Sequence, residues 1–221
     1  MIRLQAENLR TVLCIGAHAD DIEIGCGGTL LNWLEEGQAI DVYWVVLGAE
    51  GRRAEEAALS AQRFLAGARS QTVVVKGFRD SYFPYVGGEI KEYFAELRSQ
   101  VEPDAIFTHR RDDAHQDHRL VAELTWCAFR DHLILEYEIP KYEGDLGHPN
   151  VYVPLAESVC RRKIHMLMES FPTQRTKPWF TEDLFWGLMR LRGSECNSPT
   201  RYAEGLYCRK LTLGSSGRSG G

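Results

Sequence analysis

The sequence contains no run of apolar residues close to the roughly 20 that a membrane-spanning helix needs. Its first ten residues, MIRLQAENLR, lack the basic stretch followed by an apolar stretch that marks a secretory signal peptide. The six cysteines are scattered and form no Cys-x-x-Cys pair, which is typical of free thiols in a reducing compartment. We therefore expect a cytoplasmic protein without a membrane span.

An excess of positive charge is also missing. The chain carries 31 acidic and 26 basic residues, a formal net charge of −5, so its overall charge gives no reason to expect nucleic acid as a partner. No internal repeat or domain-scale linker interrupts its 221 residues, a length that suits one domain. We expect a single domain over residues 1–213 and a flexible tail over residues 214–221, with a small-molecule substrate as partner. Homo-oligomer formation stays open.

Short β-rich runs alternate with segments of helical periodicity along most of the chain, at intervals of about 30 residues. This alternation predicts an α/β fold: a Rossmann-like three-layer sandwich with a mostly parallel central sheet and helices on both faces. The predicted strands are 11–15, 40–47, 72–75, 105–108, 133–137, 151–153 and 202–208, and the predicted helices are 30–36, 54–66, 90–101, 118–130, 156–169 and 184–191.

Histidines and carboxylates are concentrated behind two of these strands. Ala17-His18-Ala19-Asp20-Asp21 follows the first strand, and the segment from His109 to His118, with the sequence HRRDDAHQDH, follows the fourth. Ligands of open parallel sheets bind beyond the carboxyl ends of the strands, where both segments are expected. Imidazole and carboxylate suit zinc, and three protein ligands leave one position open for water.

Less specific explanations compete with a metal site. The run GCGGT, residues 25–29, resembles a phosphate-binding loop, but it fails the Gly-x-Gly-x-x-Gly spacing and lacks a P-loop Gly-Lys ending. Its glycines are better explained by tight packing where a loop meets a helix. The acidic residues also admit a structural or solvated role.

The pattern AHADD-x-E-x-G-C-G-G-T followed by D-x-H-x-D-H resembles that of the LmbE/PIG-L-like zinc N-deacetylases. Further similarities are Arg53-x-x-Glu56-Ala57 and Arg192-Gly193 followed by Tyr202-Ala203-Glu204-Gly205, so that the resemblance covers nearly all of residues 10–210. Two positions depart from the family pattern: Ala19 and Gln116 stand where proline is commonest.

This resemblance implies a role for each matching residue. The implied metal ligands are His18, Asp21 and His118, and the implied general base is Asp20. His115 is implied to stabilise the oxyanion or to protonate the leaving amine, with Asp117 hydrogen-bonded to its ring; Asp117 as a helix N-cap is an alternative. Arg53 and Asp80 are candidates for binding the substrate. No role follows for Asp112 and Asp113, or for His109.

The resemblance implies a zinc-dependent N-deacetylase, a hydrolase of linear amides that removes an N-acetyl group from an amino sugar or its conjugate. Fe²⁺ or another divalent metal suits the same ligands. Two alternatives remain open at this point. The same centre could hydrolyse a non-sugar amide, or the chain could be a non-catalytic α/β module that binds a small molecule or nucleotide.

Overall fold

The computed structural model describes residues 9–212, so the predicted tail over residues 214–221 lies outside the described residues. The strands are β1 Thr11–His18, β2 Asp41–Gly48, β3 Ser70–Val75, β4 Ala105–His109, β5 Leu133–Tyr137, β6 Val151–Leu155 and β7 Tyr202–Cys208. The helices are α1 Asp21–Glu35, α2 Arg52–Phe64, α3 Gly87–Gln100, α4 Gln116–Ala128, α5 Glu157–Ser170 and α6 Glu182–Glu195, with a 3₁₀ turn at Phe83–Val86. None of these helices combines the length and apolar content needed to cross a membrane.

All seven strands form one sheet in the order β3-β2-β1-β4-β5-β7-β6. Strands β1 to β5 pair in parallel, whereas β7 is antiparallel to both of its neighbours. The chain runs outward from β1 to β3 and then crosses back to β4, so the order reverses between β1 and β4. The predicted α/β fold is confirmed, and the reversal places the expected ligand cleft at the carboxyl ends of these two strands.

Both faces of the sheet are covered by helices, as the length of the apolar runs predicts for parallel strands. In β1, Val12 and Cys14 belong to one buried cluster, with apolar residues of α1, α2, α5 and α6. Leu13 and Ile15 belong to a second cluster, with residues of α3 and α4. The alternation of side chains along β1 therefore builds the two cores of a three-layer sandwich.

The predicted start of the first helix, at residue 30, is wrong, because α1 begins at Asp21 and includes the glycine-rich run. Glycine normally disfavours helix interiors, but here tertiary packing decides. A Cβ atom on Gly25 would overlap the ring of Tyr137, and one on Gly27 would lie 2.7 Å from the ring of Phe64. The glycines allow α1 to pack closely on its neighbours along the helix itself, and not at a loop-to-helix junction.

A buried ion pair joins α1 to β7 and α5. The Glu204 carboxylate accepts hydrogen bonds from the backbone amides of Gly28 and Thr29, at 2.7 and 2.6 Å, and from the Thr29 hydroxyl. Lys163 Nζ lies 2.6 Å from Glu204 Oε1 and donates to the carbonyl of Ile24 at 2.7 Å. Both charged side chains are buried, and a buried charge without a partner is costly. Lys163 and Glu204 therefore stabilise each other.

Candidate active site

The site lies where β1 and β4 separate. Backbone pairing between these strands ends at Cys14 and Phe107, although both strands continue toward the site. Side chains satisfy the backbone groups that the separation frees: the amide of Ala17 donates to Nε2 of His109 at 2.9 Å, and the hydroxyl of Tyr137 donates to the carbonyl of Ile15 at 2.7 Å. The cleft between the strands is therefore held open by buried polar side chains.

The three predicted metal ligands meet at one point. Nδ1 of His18 lies 3.2 Å from Nε2 of His118 and 3.5 Å from Oδ2 of Asp21. Nε2 of His118 lies 3.6 Å from Oδ1 of Asp21. His18 ends β1, Asp21 is the first residue of α1, and His118 lies in the first turn of α4. One strand end and two helix starts thus direct these side chains toward each other.

The spacing of these donor atoms suits a small divalent cation. Ligands placed tetrahedrally at about 2.0–2.1 Å from zinc lie roughly 3.3 Å apart, close to the separations seen here. Two imidazoles and one carboxylate are an ordinary donor set for zinc with one position open. The residues therefore fit the metal that the resemblance implies.

Charges around the two histidines also favour a cation. Burial lowers the pKa of His18, but hydrogen bonds to Asp117, Asp21 and Asp80 outweigh burial and raise that pKa well above 6.5. Burial and the nearby His109 instead lower the pKa of His118 to about 3. The carboxylates around His18 thus stabilise positive charge, while His118 stays a neutral donor.

Asp113 positions His118, a contact that the sequence analysis missed. Its Oδ2 lies 3.0 Å from Nδ1 of His118 and 3.0 Å from Nζ of Lys141, and its Oδ1 accepts from the backbone amide of His115 at 2.8 Å. Lys141 is in turn held by Asp145. A carboxylate on the far nitrogen fixes the tautomer and orientation of a metal-binding imidazole. The spacing of Asp113, five residues before His118, offered the only signal in the sequence.

The predicted hydrogen bond between the Asp117 carboxylate and the ring of His115 is wrong. One oxygen accepts from the amide of Ser81 at 2.6 Å and lies 3.2 Å from Nε2 of His18, and the other accepts from the amide of Phe83 at 3.1 Å. Only the backbone amide of Asp117 reaches His115, at Nδ1, because His115 itself caps α4. Asp117 therefore fixes the loop after β3 against His18 and is not the N-cap.

Asp20, the predicted base, lies beside the ligands without joining them. Its Oδ1 accepts from Arg53 at 3.1 Å, whereas its buried Oδ2 has no hydrogen-bond partner among residues 9–212. Burial raises the pKa of Asp20, and the charge of Arg53 opposes that shift without cancelling it. A carboxylate with one free oxygen and a raised pKa is suited to accept a proton.

His115 lies over the same cluster, with its ring centroid 5.0 Å from that of His18 and 4.5 Å from that of His118. Nδ1 of His115 accepts a hydrogen bond from the amide of Asp117, so in the neutral ring the proton sits on Nε2. Burial, with the nearby charge of His18, lowers the pKa of His115. The ring therefore offers an N–H donor at Nε2.

His109, to which the sequence pattern assigned no role, is fully buried within the cluster. It stacks on His118, with ring centroids 3.8 Å apart, and its Nε2 lies 3.1 Å from Oδ2 of Asp21. His109 thus packs against His118 and contacts Asp21, two of the three candidate ligands. Its position as the last residue of β4 brings it to the site, but the end of a predicted strand does not show which way the side chain points.

The two candidate substrate-binding residues both line a cavity of about 270 Å³ beside the cluster, with Gly48, Ala49, Glu50, Phe78 and Arg79. Arg53 contacts Asp20, and Asp80 places Oδ1 3.1 Å from Nε2 of His18. Hydrogen bonding to His18 lowers the pKa of Asp80. The structure thus brings both residues to the site, where each also contacts part of the central cluster.

Comparison with known proteins adds a family and a fold. The sequence signature of the GlcNAc-PI de-N-acetylase (PIG-L) family matches residues 13–129, more than half of the chain. The uncharacterized deacetylase YaiS of Escherichia coli (strain K12) is 28% identical over 144 residues, which are 61% of this chain and 77% of that protein.

Solved structures with the same fold have different activities. The N,N'-diacetylchitobiose deacetylase of Pyrococcus horikoshii has a TM-score of 0.65 at 19% identity, covering 91% of this chain and 84% of its own. The 4-carboxy-2-hydroxymuconate hydratase GalB of Pseudomonas putida KT2440 has a TM-score of 0.70 at 19% identity, covering 94% and 99%. Likeness at this identity shows a shared fold, and the fold alone does not select the reaction.

Proposed function

This chain belongs to the GlcNAc-PI de-N-acetylase (PIG-L) family. From that premise we infer that it is a metal-dependent hydrolase, which removes an N-acetyl or other N-acyl group from an amino sugar or its conjugate. One observation carries the inference: the donor atoms of His18, Asp21 and His118 converge within 3.2–3.6 Å of each other. Beside them, Asp20 keeps one buried oxygen free.

In this proposal His18, Asp21 and His118 hold the metal, with zinc favoured by the donor set and Fe²⁺ as the alternative. A bound ion would supply Lewis acidity, which polarises the acyl oxygen and makes a water molecule more acidic. Asp113 holds Nδ1 of His118, so that Nε2 of that ring faces His18 and Asp21, where the ion would bind. Asp117 and Asp80 do the same for His18 from its Nε2 side.

Asp20 takes the proton of the attacking water through its free Oδ2. Its other oxygen is held by Arg53, so the carboxylate cannot rotate freely. The water oxygen then bonds to the acyl carbon, and the negative charge moves to the acyl oxygen. His115 donates a hydrogen bond from Nε2 to that oxyanion, which is stronger in the transition state than in the bound amide.

Collapse of the tetrahedral species breaks the carbon–nitrogen bond. The nitrogen receives the proton that Asp20 took from the water and leaves as the amine, and the acyl group leaves as the carboxylic acid. The second proton of the water then passes from this acid to the amine or to solvent, so the products are a carboxylate and a protonated amine, and atoms and charge balance without an oxidant or reductant. In the alternative form of this step, His115, in place of Asp20, transfers the proton to the leaving nitrogen.

The cavity beside the cluster supports an amino sugar as the substrate. Its lining includes the carboxylates of Glu50 and Asp80 and the guanidinium of Arg53, groups that can bind sugar hydroxyls in a directional way. A pocket for a plain aliphatic amide would not require the four charged side chains of this lining, Glu50, Arg53, Arg79 and Asp80. The family description, GlcNAc-PI de-N-acetylase, also names an N-acetyl amino sugar.

The test is acetate release from a panel of N-acetyl sugars, nucleotide sugars, glycosides and non-sugar N-acetyl amides. We expect turnover of at least one N-acetyl amino sugar, its loss after chelation, and its return with Zn²⁺ or Fe²⁺. Turnover of non-sugar amides alone would refute the substrate class. A protein that binds these sugars but hydrolyses none would support the non-catalytic alternative.

A further inference from the structure

Two tyrosines are exposed on the loop that follows β3. The side chains of Tyr82 and Tyr85 are 41% and 77% exposed, and their ring centroids lie 5.8 Å apart. The guanidinium of Arg79 covers one face of the Tyr82 ring at 3.7 Å from its centroid. Arg79, Tyr82 and Tyr85 therefore lie side by side, with the two rings tilted by 52°, and we call this group the aromatic platform. The ring of Tyr85 is the more exposed of the two.

The backbone beneath the platform is fixed and strained. Asp117 accepts from the amides of both Ser81 and Phe83, and the side chain of Gln116 donates to the carbonyl of Ser81. Ser81 has a φ of 66°, a left-handed conformation that is costly for a residue with a side chain. The Phe83 ring is fully buried and anchors the loop. Such anchoring presents the platform in a defined position.

Two residues that alternate with the platform residues in the chain contact the proposed catalytic cluster. Asp80, between Arg79 and Ser81 in the chain, contacts Nε2 of His18, and the ring of Phe83 lies 5.8 Å from that of His18. Arg79 also lines the cavity that contains Arg53 and Asp80. Arg79 thus belongs both to the lining of the cavity and to the aromatic platform.

The size of the cavity leaves the rest of a larger substrate outside. A volume of about 270 Å³ lies just below the range of roughly 300–1,000 Å³ that is common for sites of small molecules. Such a space suits a single sugar ring with its acyl group. A ring attached to that sugar extends beyond this lining, and Arg79, which belongs to the lining, also contacts the ring of Tyr82.

We propose that Arg79, Tyr82 and Tyr85 form a second sugar subsite, which binds the ring next to the N-acylated one. The substrate is then an oligosaccharide or glycoside and not a free monosaccharide. The C–H face of a pyranose ring is apolar and packs on an aromatic ring, while its hydroxyls remain hydrated or reach the guanidinium. This inference rests on the proposed function, because it places the second ring relative to the ring that is deacetylated.

The experiment compares kcat/KM for N,N',N''-triacetylchitotriose with that for N-acetylglucosamine. Wild-type protein should prefer the trisaccharide, and Tyr85→Ala and Tyr82→Ala should each lower kcat/KM for it about tenfold while changing that for the monosaccharide less than twofold. Tyr85→Phe, which keeps the ring, should retain the preference. Leu191→Ala is the matched control, since this exposed apolar side chain lies on α6, beside the opposite edge of the sheet.

Equal losses on both substrates, or no loss on either, would overturn the subsite. Titration calorimetry of the same trisaccharide on Asp20→Asn protein separates this result from failure of the proposed function. Binding that weakens in the Tyr85→Ala background supports the subsite even where wild-type protein releases no acetate. Absence of binding to every variant overturns the subsite. A change of oligomeric state in the tyrosine variants, seen by light scattering, would reassign the platform to a contact between copies of the chain.

Discussion

The buried pair of Lys163 and Glu204 allows a quantitative test of how the fold holds α1, and with it Asp21, in place. Replacing Lys163 with methionine keeps an unbranched chain of similar length and removes its charge. The Glu204 carboxylate then keeps three donors from α1, but it loses the cation that pairs with it within residues 9–212, and the side-chain donor to the carbonyl of Ile24 is lost as well.

Breaking a buried ion pair by removing one partner costs about 3–5 kcal/mol. Because Glu204 retains three hydrogen bonds, we expect about 3 kcal/mol for Lys163→Met. In a domain of this size 1 kcal/mol corresponds to a shift of about 2–4 °C, so the melting temperature should fall by about 6–12 °C. The double variant with Glu204→Gln should lose less than the sum of the two single variants, by about 1–3 kcal/mol.

The assay is urea unfolding followed by far-UV circular dichroism, with thermal melting as a second measure. Arg162→Met is the matched control, because Arg162 precedes Lys163 on α5 and pairs at 2.8 Å with Glu35 on the surface, where both side chains are exposed. Such a pair contributes less than about 1 kcal/mol. Equal destabilisation by the two methionine substitutions would refute the reasoning, as would strictly additive single and double variants.

Three further predictions follow from the site and the core. Asp113→Asn should weaken metal binding about 10- to 100-fold, measured by competition with a chromophoric chelator, and unchanged affinity would remove Asp113 from its positioning role. Asp20→Asn and His115→Ala should each lower kcat by about 10²–10⁴ while metal content stays that of the wild type, and parallel loss of metal would instead mark them as ligands. Gly25→Ala should destabilise the protein by about 1–3 kcal/mol through overpacking, whereas Gly88→Ala, whose Cβ would meet no atom within 4 Å, should not.

Much of the fold follows from patterns that are local in the sequence. The alternation of β-rich and helical segments predicted all seven strands, and the positions of His18 and His118 behind β1 and β4 predicted that they would meet. Local propensity failed at α1, because the glycines between Gly25 and Gly28 weaken a helix in isolation. They are tolerated here because Tyr137 and Phe64, distant in sequence, fill the space that their side chains would occupy.

The contacts around the ligands were harder to predict, because they depend on the direction of side chains and not on spacing. Asp117 is adjacent to His118 in sequence, yet its carboxylate turns to the loop after β3, and Asp113 takes the role of holding His118. His109 stands in a strand end whose register with β1 breaks off at Cys14. Such choices are set by the divergence of two strands, which no motif in the sequence encodes.

The proposed function requires one metal ion per chain, held by His18, Asp21 and His118. Metal-free protein should be prepared by chelation and titrated with Zn²⁺ while acetate release from the best N-acetyl sugar is followed. Activity should rise in proportion to added zinc and level off at one ion per chain, and His18→Ala should stay inactive over the same range. Full turnover by the metal-free protein, or recovery in His18→Ala at the same stoichiometry, would contradict the account.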